Sequence, residues 1–159
     1  MVRFTADLHF SHFNIIRYCK RPYKNVHEMD LALIANWNRV VKPDDTIYVL
    51  GDFHMGRVEV AARILEHLNG KEKILILGNH DSRPARMLSA GFHKVVTHAW
   101  FGEYFLVHRP SAVPKGQLAL CGHIHDNWKR RGLITNVGTD VWSYTPITIE
   151  QIEAVKGDC

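Results

Sequence analysis

The chain opens on Val2-Arg3-Phe4-Thr5-Ala6-Asp7-Leu8-His9. A short strand-like run, Val2 to Ala6, stops at two side chains that bind metals well, Asp7 and His9. The same event recurs along the chain. Ile47 to Leu50 runs through Gly51 into Asp52. Ile74 to Leu77 runs through Gly78 into Asn79 and His80. Tyr104 to Val107 ends on His108, and Leu118 to Cys121 runs through Gly122 into His123 and His125. A buried strand that ends in a loop carrying a carboxylate or an imidazole is how open α/β sheets build a site at their strand ends. Such repeated endings point to one place, and the ligands they supply suit two metal ions rather than one. Asp7 and His9 stand at i and i+2, as do His123 and His125; in extended backbone such pairs project to the same side. Gly51 allows a tight turn just before Asp52.

The length of 159 residues fits one domain, residues 1–159, with a sizeable core. A composition of 46% hydrophobic and 23% charged residues is that of an ordinary soluble globular protein. No stretch is long and apolar enough to span a bilayer. The N-terminus lacks a charged segment followed by an apolar one, so the expected location is the cytoplasm and no membrane partner is expected. Cys19, Cys121 and Cys159 are odd in number and form no C-x-x-C pair; they are read as reduced thiols, and thiolate zinc sites are excluded. A net charge of +4 favours anionic ligands but is too small for a dedicated nucleic-acid binder. The outlier is the histidine count of eleven, histidine being the commonest metal ligand.

Strand-like and helix-like runs alternate, which predicts an α/β layered architecture. Apolar spacing predicts helices over 26–41 and 58–68. Asn25 and Glu28 start the first and Pro43 marks its end; Asn69-Gly70 stops the second. A short helix is expected after Pro84 and another over 149–155. Lys94–Ala99 and Tyr104–Val107 read as a β-hairpin around Trp100-Phe101-Gly102-Glu103. Pro110–Lys115 and Asp126–Gly132 read as loops, Leu133–Val137 as a strand and Pro146–Ile149 as a short last one. The front β-α-β stretches predict parallel pairing, and the hairpin makes the sheet system mixed overall.

Taken together, Asp7-x-His9, Gly51-Asp52, Gly78-Asn79-His80-Asp81, His108 and Gly122-His123-x-His125 resemble the motif series of the calcineurin-like metallophosphoesterases, in that family's order and at similar separations. Asp7 to Ile16, and Asn136-Val137-Gly138 with Tyr144-x-Pro146, resemble a small bacterial and phage branch of it, so the likeness covers nearly the whole chain. It implies a four-layer αββα sandwich, with two mixed β-sheets face to face and helices outside. It implies a dinuclear centre. One metal would take Asp7, His9, Asp52 and His125; the other would take Asp52, Asn79, His108 and His123, with Asp52 bridging. Nitrogen and oxygen donors without thiolate suit Mn, Fe, Co, Ni or Zn. The expected chemistry is hydrolysis of a small phosphodiester or phosphomonoester, a nucleotide among the candidates, by in-line attack of a metal-bridging hydroxide. His80 would protonate the leaving oxygen. The protein-phosphatase branch orients this histidine with an aspartate three residues after the bridging one. Here that position is Met55, and Asp81 is the candidate orienter in its place.

Other residues are open to two readings. His12 and His54 lie close to ligands and are candidates for substrate contact or for orienting the ligands. Arg17 and Arg21 are candidates to hold a phosphate, against a reading as surface arginines. Lys129-Arg130-Arg131 is read as a solvated loop that, if functional, steers an anion. Trp100, Trp128 and Trp142 are read as packing groups rather than base-stacking platforms. His27, His67, His93 and His98 are read as structural or solvent-facing. Two rivals are a non-catalytic interaction module on the same fold and a nuclease. The complete ligand set with His80 argues against the first, and the lack of a long basic groove against the second. The oligomeric state is left open.

Overall fold

The structure, a computed structural model, describes residues 1–155; Cys159 lies outside them. The first sheet contains β1 (Val2–Thr5), β2 (Thr46–Val49), β3 (Glu72–Ile76) and β4 (Lys94–Val96) in the order β1-β2-β3-β4. Its helices are α1 (Phe13–Tyr18), α2 (Val26–Val40), α3 (Val58–His67) and α4 (Pro84–Ala90). Every pairing in this sheet is parallel. The expectation of two mixed sheets is therefore corrected: one is wholly parallel. The reason is connectivity, since each strand returns through a helical crossover, which brings the next strand back in the same direction.

The second sheet is mixed. It contains β5 (His98–Phe101), β6 (Tyr104–Val107), β7 (Ala119–Cys121), β8 (Arg130–Arg131) and β9 (Ile134–Asn136) in the order β5-β6-β7-β9-β8. β6, β7 and β9 run parallel, and antiparallel edge strands close both sides. The expected hairpin forms, but with other limits. Residues 94–99 split at Thr97, because β4 pairs with β3 in the first sheet while β5 pairs with β6 in the second. Trp100 and Phe101 belong to β5, so the turn is only Gly102-Glu103. Pro146–Ile149 is not a strand; Ile147 makes a single antiparallel bridge to Phe4. Arg130 and Arg131, expected in a loop, form β8. The six-residue α1, which has no capping side chain, was not foreshadowed by any apolar period.

Two clusters of buried side chains define the layers. Met29, Leu33 and Trp37, four residues apart on α2, join Ala61, Ile64 and Leu65 of α3 and Met87 of α4 against Ile47, Val49 and Leu75 of the first sheet. On the other face of that sheet, Phe4, Ala6, Leu50 and Ile76 meet Leu106, Leu120 and Val137, and Ile152 of α5 (Ile149–Glu153) joins them. The chain is thus α/β, with two packed sheets flanked by helices. The start of α2 is fixed by Asn25, whose side chain accepts the Glu28 N–H at 2.9 Å. Its end is docked to the end of α3 by side chains: the Trp37 indole donates to Asn69 O at 2.9 Å, and Asn38 both donates to His67 O and accepts from Asn69 N. Among the described residues, no helix is long and apolar enough to cross a membrane.

The α2 stripe supplies a direct stability test. Leu33 is fully buried while Leu31, two residues earlier, is 55% exposed. Leu33→Ala is expected to cost about 2–5 kcal/mol in urea unfolding, and Leu31→Ala no more than about 0.5 kcal/mol.

Candidate metal centre

The carboxyl ends of β1, β2, β3, β6 and β7 lie together, and the loops that follow them carry the polar residues. These loops are not extended. Asp7, His9, Asp52, His123 and His125 all have positive φ, between 50° and 75°. This corrects the physical basis of the i, i+2 expectation: the paired side chains converge because the backbone enters the left-handed region at each, not because it is straight. Leu8, between Asp7 and His9, is thereby turned into the α2–α3 core. Non-glycine residues held there cost about 1–3 kcal/mol each, a strain that clusters at functional sites. Neighbouring loops hold it in place: Asp7 N donates to Gly51 O, and His9 N to Asp52 O, both at 3.0 Å. Close approach also dictates glycine. A Cβ on Gly122 would lie 2.6 Å from Ala6 Cβ and 2.7 Å from Asp7 Oδ2, and one on Gly78 would strike Asp52 Oδ1.

Among the described residues three sets of three ligating atoms lie within 4.8 Å of one another: Asp7-His9-His125, Asp52-His108-His123, and Cys19-His125-Asp140, which shares His125 with the first. Asp52 Oδ2 stands between the first two, 3.6 Å from His9 Nε2 and 3.3 Å from His108 Nε2. Asn79 Oδ1 is 3.2 Å from His108 Nε2. The His108, His9 and His125 rings are aimed by their other nitrogens. His108 Nδ1 donates to Leu50 O at 2.7 Å, and His9 Nδ1 shares a hydrogen bond with His12 Nδ1 at 3.2 Å. His9 Nε2 is then left buried, pointing at Asp52, with no hydrogen-bond partner.

The electrostatics are those of a crowded, dry site. Burial is the main cause that pushes Asp7 up to about 7, despite the nearby His125 and His108. Burial likewise pushes His9 down to about 3, so its ring is neutral and a competent ligand. Burial also opposes ionisation of Asp52, but the His108 hydrogen bond and charge and the His80 N–H outweigh it and hold Asp52 at about 2. Burial works against protonation of His125 too; its hydrogen bond to Asp140 prevails and raises it to about 10. A neutral buried imidazole with an orphan nitrogen, beside two buried carboxylates, is a donor set that divalent ions fit.

Several candidates take other roles. Arg21 does not face a substrate: its guanidinium is buried, donates to Asp7 O at 2.7 Å and Leu8 O at 2.8 Å, and pairs with Asp140 at 2.8 and 3.0 Å. Asp81 does not orient His80, because its two oxygens accept the N–H groups of Asp52, Phe53 and Gly78 at 2.8–2.9 Å and so clamp the loops after β2 and β3. His54 is only 1% exposed and does not line the cleft beside His80. Arg17 is exposed in the last turn of α1 and does not line the cleft beside His80. His12 and His80 do line that cleft, with His80 N donating to Asp52 Oδ1 at 2.9 Å. The basic loop is tied down: Lys129 lies over the Trp142 ring at 4.1 Å, Arg131 over Trp128 at 5.2 Å, and Arg130 donates to Val155 O.

Asp140 is a residue that sequence reasoning missed. It receives Arg21 and, at 3.3 Å, His125 Nδ1, so one buried carboxylate joins the Asp7 loop to the His125 loop. Asn136 assists, donating to His125 O at 2.8 Å and Trp128 O at 2.9 Å. Asn136 stood in a stretch already singled out; nothing in the local sequence marked Asp140.

Comparison with known proteins now places the chain. It is 34% identical over 161 aligned residues to the uncharacterized protein MJ1445 of Methanocaldococcus jannaschii, covering 92% of this chain and 86% of that protein. The chain belongs to the family of that archaeal protein. It is also 33% identical over 99 residues to the Gene 66 protein of Mycobacterium phage L5, covering 61% of this chain but only 46% of the phage protein. The crystal structure of AQ665 from Aquifex aeolicus, a protein of unknown function, superposes with a TM-score of 0.73 at 27% identity, covering 96% of this chain and 97% of that one. No family model matches the chain.

The Arg21–Asp140 pair is buried on both sides, with side-chain exposures of 0% and 2%. Removing one partner strands a charge, so Arg21→Ala is expected to lose roughly 3–5 kcal/mol of stability. Urea titration checks this, and a loss below about 1 kcal/mol would show that the pair does not tie the loops.

Proposed function

We propose that the chain is a dinuclear-metal phosphoesterase of the calcineurin-like kind, acting on a small phosphate ester. The observation that carries the proposal is the position of Asp52 Oδ2 between the His9 and His108 rings, at 3.6 and 3.3 Å, where one carboxylate serves both ligand sets. Asp7, His9, His125 and Asp52 would hold one ion; Asp52, His108, His123 and Asn79 the other. Bound divalent ions supply Lewis-acid activation of water and of the phosphoryl group. The two aspartates offset only part of the charge of two such ions, which leaves the site attractive to a phosphate dianion.

The chain's own groups do the rest. His108 and His9 are held as neutral-side donors by Leu50 O and His12, so each presents Nε2 inward. Asp140 does the same for His125 through Nδ1. His80, exposed beside the centre and anchored by its own N–H to Asp52, is free to present its ring to a leaving oxygen and hand it a proton. Asp81, engaged with backbone, does not take the place of the orienting aspartate of the protein phosphatases. His80 is therefore positioned through its main chain, and its ring neighbours are His9 and His12, with centroids at 5.5 and 6.2 Å.

Asp52→Ala is expected to abolish Mn-dependent hydrolysis of 4-nitrophenyl phosphate and of its bis-ester, and to reduce binding at both ions. His80→Ala should keep two Mn per chain by elemental analysis yet lose about 10²–10⁴ in turnover. Full activity in that variant would remove His80 from the mechanism. Asp140→Asn should weaken one ion selectively, by about 10–100-fold in affinity, while calorimetry still registers the other. Equal weakening of both would refute the positioning role.

A further inference from the structure

Beside His80 lies a cavity of about 480 Å³, within the usual range for small-ligand sites of about 300–1,000 Å³. Its wall joins α1 to the loops after β2 and β7. Ile15, Met55 and Ile124 supply apolar surface, Asn14 and Asn127 supply amides, and Tyr18, a residue 73% exposed, stands at the rim. Among the described residues no lysine or arginine lines it; its basic groups are the imidazoles of the centre, His80 and His12, and its carboxylate, Asp126, repels anions. The cleft on the other side of the centre differs: it is smaller, about 250 Å³, and has Arg109 in its wall beside Asn79 and His108. Met55 matters here. The position where protein phosphatases carry an aspartate presents instead a flexible apolar side chain to this cavity, and its sulfur makes favourable contact with ring edges.

We propose that this cavity receives the leaving group, and that the group is an uncharged, ring-bearing alcohol of the size of a nucleoside rather than a phosphate or a nucleic-acid strand. The inference rests on the phosphoesterase reading. In that reaction water's oxygen bonds to phosphorus, the P–O bond to the leaving group breaks, and the leaving oxygen takes a proton from His80; the proton lost by water returns to solvent and His80 is reprotonated from it. The leaving alcohol must then lie on the His80 side, which is this cavity. An anionic leaving group would meet Asp126 and no lysine or arginine. A strand would need successive phosphate contacts, which the wall does not offer. A neutral ring can stack on Tyr18 and hydrogen-bond to Asn14 and Asn127 while Ile15, Met55 and Ile124 cover its faces.

The test uses uridine as a neutral probe, read in the full chain labelled at isoleucine and methionine methyl groups, both metal-free and loaded with Zn. Uridine is expected to shift the Ile15, Met55 and Ile124 methyls and leave buried Ile47 unmoved; inorganic pyrophosphate should not move the three. Tyr18→Ala and Asn127→Ala should each weaken uridine at least about fivefold. In Mn-loaded enzyme, kcat/KM for 4-nitrophenyl phosphate should exceed that for pyrophosphate at least about tenfold, the two leaving groups being of comparable acidity. Tyr18→Ala should raise KM for the aryl ester more than it lowers kcat. Pyrophosphate cleaved as well as the aryl ester, or uridine leaving all three methyls unmoved while esters are hydrolysed, would overturn the assignment alone. Methyl shifts with no ester hydrolysed under any metal would overturn the phosphoesterase reading and the leaving-group role with it.

Discussion

The centre depends on one carboxylate reached from two sides. Asp52 Oδ2 faces His9 from the β1 loop and His108 from β6, while Oδ1 takes the His80 N–H from the β3 loop. Loops from both sheets therefore meet on a single side chain, and the rest of the architecture can be seen as what keeps that side chain in place. Gly51 at φ +89° turns the chain just ahead of it. Asp81 clamps its backbone N–H, and Gly78 leaves room for Oδ1. Parallel pairing of β1, β2 and β3 brings the three loop starts to one edge, so the convergence is a result of crossover connections and not of the loops themselves.

Around this carboxylate the structure holds buried charge in two different ways. Arg21 and Asp140 compensate each other, and the guanidinium's remaining donors are spent on Asp7 O and Leu8 O. This is a satisfied network, and low dielectric strengthens it. The inner set is not satisfied. Asp7 is driven up to about 7 by its burial, His9 is driven down to about 3, and His9 Nε2 has no partner. A fold that completes the outer network and leaves His9 Nε2 without a partner beside buried carboxylates supports the proposal of cations inside, independently of any family likeness.

Much of this was legible in the sequence, for definite reasons. The strand endings were readable because each pairs an apolar run with a hard stop at a polar residue, and the α2 stripe because Met29, Leu33 and Trp37 recur every four residues. What escaped has physical causes too. The left-handed conformations of Asp7, His9, His123 and His125 are imposed by neighbouring loops, since aspartate and histidine have no local need for them. The break at Thr97 follows from competition between two sheets for one run of strand-forming residues, which only the tertiary pairing decides. Arg21 read as a phosphate binder because a basic residue after a ligand motif has the same sequence signature whether it faces solvent or a buried aspartate 119 positions away.

The placement of Arg21 changes where specificity must come from. With that guanidinium committed to backbone and Asp140, and with Lys129 laid over an indole ring, no lysine or arginine among the described residues lines the cavity on the His80 side. Recognition on that side falls to shape and neutral hydrogen bonding, whereas the opposite side retains Arg109. A diester bound across the centre would therefore meet two unlike walls. Its orientation would be set by charge on the Arg109 side and by the ring-accepting cavity on the other, and His80, present only in the second wall, would fix which P–O bond is broken. On the proposed reading, asymmetry of the two clefts, rather than the symmetric pair of ligand sets, would give the site its direction.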